Sequence, residues 1–117
     1  MQLLMVGNTT NLMQIRLLKM LAESSPHPRY RHGAIALRSG SVVGKGYNHH
    51  GVHAEHSCLS GIWPNKRKGL IVWVGRITKA GNWADSKPCE GCEEKLREDG
   101  IRKVVYSTPE GFREMRV

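Results

Sequence analysis

Leu70-Ile71-Val72-Trp73-Val74 is a run of apolar residues with no polar member, closed at each end by a glycine, Gly69 and Gly75. A strand with one solvated face alternates apolar and polar side chains, so an unbroken run predicts a strand covered on both faces. The chain must therefore supply a layer of structure on either side of it. With 117 residues it has material for one domain, 1–117, whose core can take roughly two thirds of the unfolded chain's surface out of water without disulfides.

The flanking segments supply those layers. Asn8, Thr9 and Thr10 are N-cap residue types ahead of a dense apolar stretch from Leu12 to Ala22, which predicts a helix over about 10–23. Its apolar positions spread beyond one narrow stripe, so it is expected to pack on the sheet with one side and on a further element or subunit with the other. Short apolar runs at 33–37 and 42–47, joined by Arg38-Ser39-Gly40-Ser41, predict a hairpin. A second helix is predicted over 53–61, ahead of the breaker loop Trp63-Pro64-Asn65. Pro88 and Gly100 bracket a third helix, 89–99. A strand over 101–106 and an antiparallel edge strand over 112–117, turned at Pro109 to Gly111, complete the order.

Eighteen Lys and Arg against ten Asp and Glu leave a net charge of +8, shared by both halves of the chain. That balance suits an anionic small molecule or a polyanion, and equally a surface that is merely well solvated. Cys58, Cys89 and Cys92 are an odd number with one close pair, which argues against a disulfide framework and for a reducing compartment; the expected location is cytoplasmic. The apolar runs are too short to cross a membrane, and Met1 to Gly7 lacks the basic start of a signal peptide. All six histidines fall between positions 27 and 56, a concentration that points to a site.

Two short patterns carry chemistry. His53-Ala54-Glu55 opens the second predicted helix, and Pro88-Cys89-Glu90-Gly91-Cys92 opens the third. One imidazole and two thiolates suit zinc, and a Cys-x-x-Cys pair in the first turn of a helix lets both sulfurs reach one ion while the helix N-terminus favours the thiolate form. Three protein ligands leave the fourth tetrahedral position to water, whose pKa the metal lowers to about 7. Glu55, two residues past His53, is then placed to carry that water's proton. The alternative is a closed structural zinc site with His56 or Cys58 as fourth ligand, which leaves Glu55 without a role.

His-x-Glu followed by Pro-Cys-x-x-Cys resembles the signature of the zinc-dependent cytidine and deoxycytidylate deaminase superfamily, and the sequence is similar to a compact deoxycytidylate-type member. The resemblance runs over most of the chain, through Ser24-Ser25, His32-Gly33-Ala34-Ile35, Gly46-Tyr47-Asn48, the two metal patterns with Ser86 and Lys87, and Gly100 to Tyr106. It implies an α/β fold, a three-layer α/β/α sandwich on a mixed sheet of about five strands. It also implies a catalytic Zn2+ held by His53, Cys89 and Cys92, with Glu55 as proton shuttle, the Ala54 N–H holding the base carbonyl and Asn48 contacting the sugar or the base. The implied reaction is hydrolytic deamination of a cytosine nucleotide or nucleoside, dCMP to dUMP plus ammonia foremost; the alternative is cytosine or adenine within single-stranded DNA or RNA. His49 and Ser86 stand where the deoxycytidylate enzymes usually carry Gly and Thr.

Outside these patterns, Trp83, in the polar loop ahead of the cysteine pair, is the tryptophan best suited to stack on a substrate base, while Trp73 belongs to the covered strand. Arg29, Arg31, Lys66, Arg67, Lys68 and Lys79 are cations available to a phosphate, and His49 and His50 are loop histidines able to line a pocket. The expected partners are a small nucleotide and further copies of the chain, with nucleic acid as the alternative and no membrane. The homo-oligomer follows from the broad apolar first helix and from the resemblance, which implies subunits that complete one another's pockets.

Overall fold

The computed structural model describes residues 9–117, so the expectations for Met1 to Gly7 and for Asn8 lie outside the described residues. The elements are α1 (Thr9–Ser24), β1 (Arg31–Arg38), β2 (Ser41–Tyr47), α2 (Ala54–Leu59), a 3-10 turn (Pro64–Lys66), β3 (Ile71–Ile77), β4 (Trp83–Ala84), α3 (Glu90–Glu98), β5 (Lys103–Thr108) and β6 (Gly111–Arg116). Five strands lie in the order β2-β1-β3-β5-β6, and the two-residue β4 adds to β3 as a sixth. β1 pairs antiparallel with both β2 and β3, β5 pairs antiparallel with β6, and β3 pairs parallel with β5 through the crossover that contains α3.

Strand alternation sorts the core into two halves. Ala34 and Ala36 of β1, Val72 and Val74 of β3, and Val104 and Tyr106 of β5 pack with Ala54, Cys58 and Leu59 of α2 and Leu96 of α3. Ile35, Leu37, Trp73, Val105 and Phe112 turn to the other face and pack with Leu18 of α1. The run from Leu70 to Val74 is thus covered on both sides, with Val72 and Val74 at 0% exposure and Trp73 at 4%. The sandwich has α1 on one face and α2 with α3 on the other.

Close approach of helix to sheet depends on residues without side chains. Gly33 and Gly75 pair across β1 and β3 beneath α1; a Cβ on Gly33 would lie 2.7 Å from the Leu18 carbonyl oxygen, and one on Gly75 would lie 2.8 Å from Leu18 Cδ2. On the opposite face Gly44 and Gly46 admit the backbone of α2, where added Cβ atoms would meet Cys58 O at 2.5 Å and Cys58 N at 2.6 Å. At the end of α3, Gly100 adopts φ +77° while Ile101 N–H donates to Leu96 O and Gly100 N–H to Arg97 O, both at 3.0 Å. This Schellman closure turns the chain straight into β5 and buries Ile101 against Leu96.

The structure departs from expectation in the 78–87 segment. There β4 pairs Trp83 with Ile77 and Ala84 with Arg76. Ser107, fully buried on β5, fastens it by donating to Ala84 O at 2.7 Å and accepting from the Arg76 N–H at 3.0 Å. A two-residue strand has no periodicity to reveal it.

Candidate active site

His53 is the N-cap residue of α2 and Cys89 is the N-cap residue of α3, both in extended backbone, and neither side chain caps its own helix. The two helices lie on the same face of the sheet, so their first turns present side chains into one space. Cys92, one turn into α3, is 4% exposed. His53 Nδ1 lies 2.9 Å from Cys92 Sγ, and the donor atoms of His53, Cys89 and Cys92 all lie within 4.8 Å of one another. Zinc bonds of about 2.0–2.3 Å set tetrahedral neighbours about 3.5–3.8 Å apart, so an ion fits this triad with small adjustments. Among the described residues no fourth His, Cys, Asp or Glu joins the cluster. Cys58 instead sits in the core beneath β2, where burial pushes its thiol up to about 12, and the His56 ring is inclined 26° to that of His53 with centroids 6.2 Å apart.

Glu55 is 5% exposed. Burial raises its carboxyl above the usual range, against the opposing pull of its own backbone N–H and of His53. Burial likewise pushes the Cys92 thiol up to about 12, reinforced by Glu55 and then by Cys89. Two acidic groups side by side, each held toward its protonated form, make a pocket that a divalent cation relieves, and this chemistry fits zinc as well as the distances do.

A cavity of about 720 Å³ opens beside the triad, with Glu55 and Ala54 in its wall together with His32, Asn48 and Ser86. Asn48 is held on three sides: its Oδ1 accepts from the Ser25 hydroxyl at 2.6 Å and from the His32 backbone N–H at 2.8 Å, and its Nδ2 donates to Tyr30 O at 2.6 Å. His32 Nδ1 lies 3.4 Å from Ser86 Oγ. Burial, then Arg76, lowers the His32 imidazole to about 4, which keeps it neutral. The rim is a tight turn in which His49 and Val52 exchange backbone hydrogen bonds at 3.1 and 2.8 Å, with His50 at φ +46° and Gly51 at φ +79°.

Of the residues singled out from the sequence, His53, Ala54, Glu55, Asn48, Cys89, His49 and His50 line the cavity and Cys92 adjoins it through His53. Trp83 is not brought there. Its ring packs edge-on against Phe112, with centroids 5.1 Å apart, and stands over Gly75 on the α1 side of the sheet. The pairing of β4 with β3 turns that side chain onto the opposite face. None of the six cations considered for a phosphate lines the cavity, whereas Lys87 does. His32 and Ser86, which the sequence marked only as parts of the family resemblance and without a role, and Tyr30, which it did not mark, are also wall residues, because their roles depend on partners distant in sequence.

Residues 8–108 match the family described as the cytidine and deoxycytidylate deaminase zinc-binding region. The chain belongs to this deaminase family. A search of curated proteins finds no significant match. Among solved structures, the dCMP deaminase of cyanophage S-TIM5 in apo form is similar with a TM-score of 0.64 and 20% identity, over 81% of this chain and 79% of that one. RibD of Acinetobacter baumannii, form 2, is similar with a TM-score of 0.62 and 18% identity, over 83% of this chain and 27% of that one. A diaminohydroxyphosphoribosylaminopyrimidine deaminase/5-amino-6-(5-phosphoribosylamino)uracil reductase from Thermotoga maritima gives a TM-score of 0.56 and 19% identity, over 79% and 27%. The chain thus spans about a quarter of the two longer proteins. At these identities the likenesses establish the cytidine deaminase-like fold. As a member of a zinc-dependent deaminase family, the chain offers His53, Cys89 and Cys92 as its zinc site. No described helix is long and apolar enough to cross a membrane.

Proposed function

We propose that the cavity deaminates a cytosine nucleotide or nucleoside by hydrolysis, with dCMP to dUMP plus ammonia as the leading reaction. The observation that carries this reading is Glu55, a carboxyl buried in the cavity wall two residues from His53, whose proton affinity is raised by burial. Zinc, held by His53, Cys89 and Cys92, supplies a Lewis acid that activates water at neutral pH. Glu55 takes the proton of the attacking water and delivers it to the ring nitrogen N3 as oxygen bonds to C4. It then passes the second proton of that oxygen to the amino group. The C4–N bond breaks, ammonia leaves, and a C4 carbonyl remains, so one carboxyl acts as base and acid in turn.

The base must be held while this happens. The Ala54 N–H belongs to the first turn of α2, whose amides have no intrahelical acceptor, and it is suited to the base carbonyl. Three protein hydrogen bonds to the Asn48 carboxamide leave one Nδ2 hydrogen for the sugar or the base. Lys87, His49 and His50 at the wall and rim are the groups available to a phosphate.

Further copies of the chain are the partner proposed for α1. Met13 at 66% exposure and Met20 at 63% stand seven positions apart on one face of that helix, beside Leu17, which is itself half-buried against the sheet. Sedimentation at micromolar concentration is expected to show a dimer or larger assembly, and a monomer rejects this part of the reading. Three free thiols suit a reducing, cytoplasmic setting.

The test is ammonia release from zinc-loaded protein on cytidine, deoxycytidine, CMP, dCMP, a diamino-hydroxypyrimidine ribose phosphate and a cytosine-containing single strand, with Glu55→Gln as blank. Release from dCMP or another cytosine monomer is expected. Release only from the diaminopyrimidine or only from the single strand replaces this substrate with that one.

A further inference from the structure

The register of the sheet gathers cations at the end away from the cavity. Leu37 pairs with Ile71, Ile71 with Lys103 and Lys103 with Arg116, so Arg38, Lys103 and Arg116 lie along one edge across β1, β3, β5 and β6. Strand spacing makes that edge about 14 Å long, and the length of β1 puts it about 20 Å from the His32 end. The loop carrying Lys66 and Lys68 joins the same edge, because the Arg38 guanidinium donates to Lys66 O at 2.7 Å and to Lys68 O at 3.2 Å. Arg102 follows, its N–H donating to Leu70 O at 2.8 Å.

The charge there is largely uncompensated. Asp99 is engaged by Arg67 at 3.3 Å and Glu114 by Lys103 at 3.1 Å, so neither acid offsets the other cations. Arg38, Lys66, Lys68, Arg102 and Arg116 are exposed and have no ion-pair partner among the described residues. Beside them stands Trp63, 77% exposed, whose carbonyl accepts the Lys66 N–H across the 3-10 turn. The loop is held before any partner arrives: Arg67 Nε donates to Ile62 O at 3.0 Å, and Gly69 N–H to Gly100 O at 2.8 Å. The turn that carries this exposed indole is thus held in place beside a row of cations without ion-pair partners, an arrangement complementary to a polyanion with stackable bases.

We infer that this basic edge, with Trp63, is a docking surface for single-stranded nucleic acid, the cations meeting phosphates and the indole stacking on a base. A single strand is favoured over a duplex because its bases are free to stack on the indole. The inference is independent of the reaction assigned to the cavity.

The experiment measures anisotropy of fluorescein-labelled oligo(dT) of about 20 nucleotides with zinc-loaded protein. Thymine carries no exocyclic amine, so the strand offers the cavity no deaminable base. Five phosphate contacts predict a log–log salt slope of about −3.5, an affinity loss of about 100-fold between 50 and 200 mM salt. Lys66→Glu/Lys68→Glu and Arg102→Glu/Arg116→Glu are each expected to weaken binding at least tenfold and to flatten the slope by about 1.4. Trp63→Ala is expected to weaken it about 5- to 160-fold. Turnover of the free nucleotide should stay within twofold in every variant. The inference is overturned by absence of saturable binding at 50 mM salt, by unchanged affinity in either charge-reversed protein, by indifference to Trp63→Ala, or by tighter binding to anionic phospholipid vesicles than to the oligonucleotide.

Discussion

His53 and Cys89, 36 positions apart, occupy the same place on two different helices: each is the N-cap residue, and each leaves its helix end uncapped by its own side chain. An N-cap Ser, Asp or Asn in either position would stabilise its helix by about 1 kcal/mol. The chain forgoes that at both sites, which keeps two ligand atoms free to meet beside Cys92. Replacing Cys92 or Cys89 by Ser, or His53 by Ala, is expected to reduce bound zinc from one equivalent to well below half by atomic absorption. Retention of a full equivalent in any of the three would refute the ligand assignment.

Glu55 is expected to separate metal binding from chemistry. Glu55→Gln preserves shape and removes the titratable group, so zinc content should stay at wild-type level while turnover falls by about 10²–10⁴, the usual range for a general acid–base group. Steady-state rates with metal analysis on the same sample decide it; comparable rates in the variant count against the proton-carrier role.

His32 predicts a pH dependence of stability. Its imidazole is lowered to about 4, by burial first and Arg76 next, from 6.5 in the unfolded chain. Between those values the unfolded chain binds the extra proton, so stability is complete above about pH 6.5, declines as pH falls toward 4, and levels off below it. The decline due to this one group is at most about 3 kcal/mol. Denaturant titrations of wild type and His32→Gln across that window should show a shallower decline in the variant. Parallel curves would reject the assignment.

Gly46 links the fold to the site. A Cβ there would lie 2.6 Å from Cys58 N and 2.8 Å from the Ser57 carbonyl carbon, both backbone atoms of α2. Gly46→Ala should therefore push α2, and His53 with it, off the sheet, costing about 1–3 kcal/mol and weakening zinc along with stability. A competition assay against a zinc chelator reads the second effect; unchanged affinity would show that α2 does not need its close seat.

His50 holds φ +46° in the turn at the cavity rim, a conformation that costs a residue with a Cβ about 1 kcal/mol or more. His50→Asn, which gives the Asn-Gly pair favoured in such turns, is expected to raise the unfolding midpoint by a few degrees. If His50 also contacts substrate, KM rises in the same variant while the melting temperature improves.

Much of this protein is readable in one dimension. The apolar run at 70–74 demanded cover on both faces and received it from α1 on one side and α2 with α3 on the other. The hairpin, the three helices and the antiparallel return of β6 rest on patterns contained within fewer than twenty residues each, and all are present. His53-Ala54-Glu55 and Pro88-Cys89-Glu90-Gly91-Cys92 were legible because ligand spacing on a helix turn is a local property.

What the sequence by itself determined, then, was local: which segments are helix or strand, which residues have ligand chemistry, and which run must be buried. Tertiary structure alone decided which distant segments meet. Trp83 looked like a pocket residue as part of a polar loop, yet pairing of β4 with β3 turned it onto the α1 face beside Phe112. Lys66 and Lys68 were among the cations available to a phosphate, and the hydrogen bonds from Arg38 to their carbonyls set them at the far end of the sheet, away from the cavity. Ser25, His32 and Tyr30 have no catalytic role legible in the sequence, and they converge on Asn48 because antiparallel pairing sets the start of β1 beside the end of β2. A strand's direction and register reverse or keep a side chain's surroundings through hydrogen bonds to residues dozens of positions away, and no local pattern records those partners.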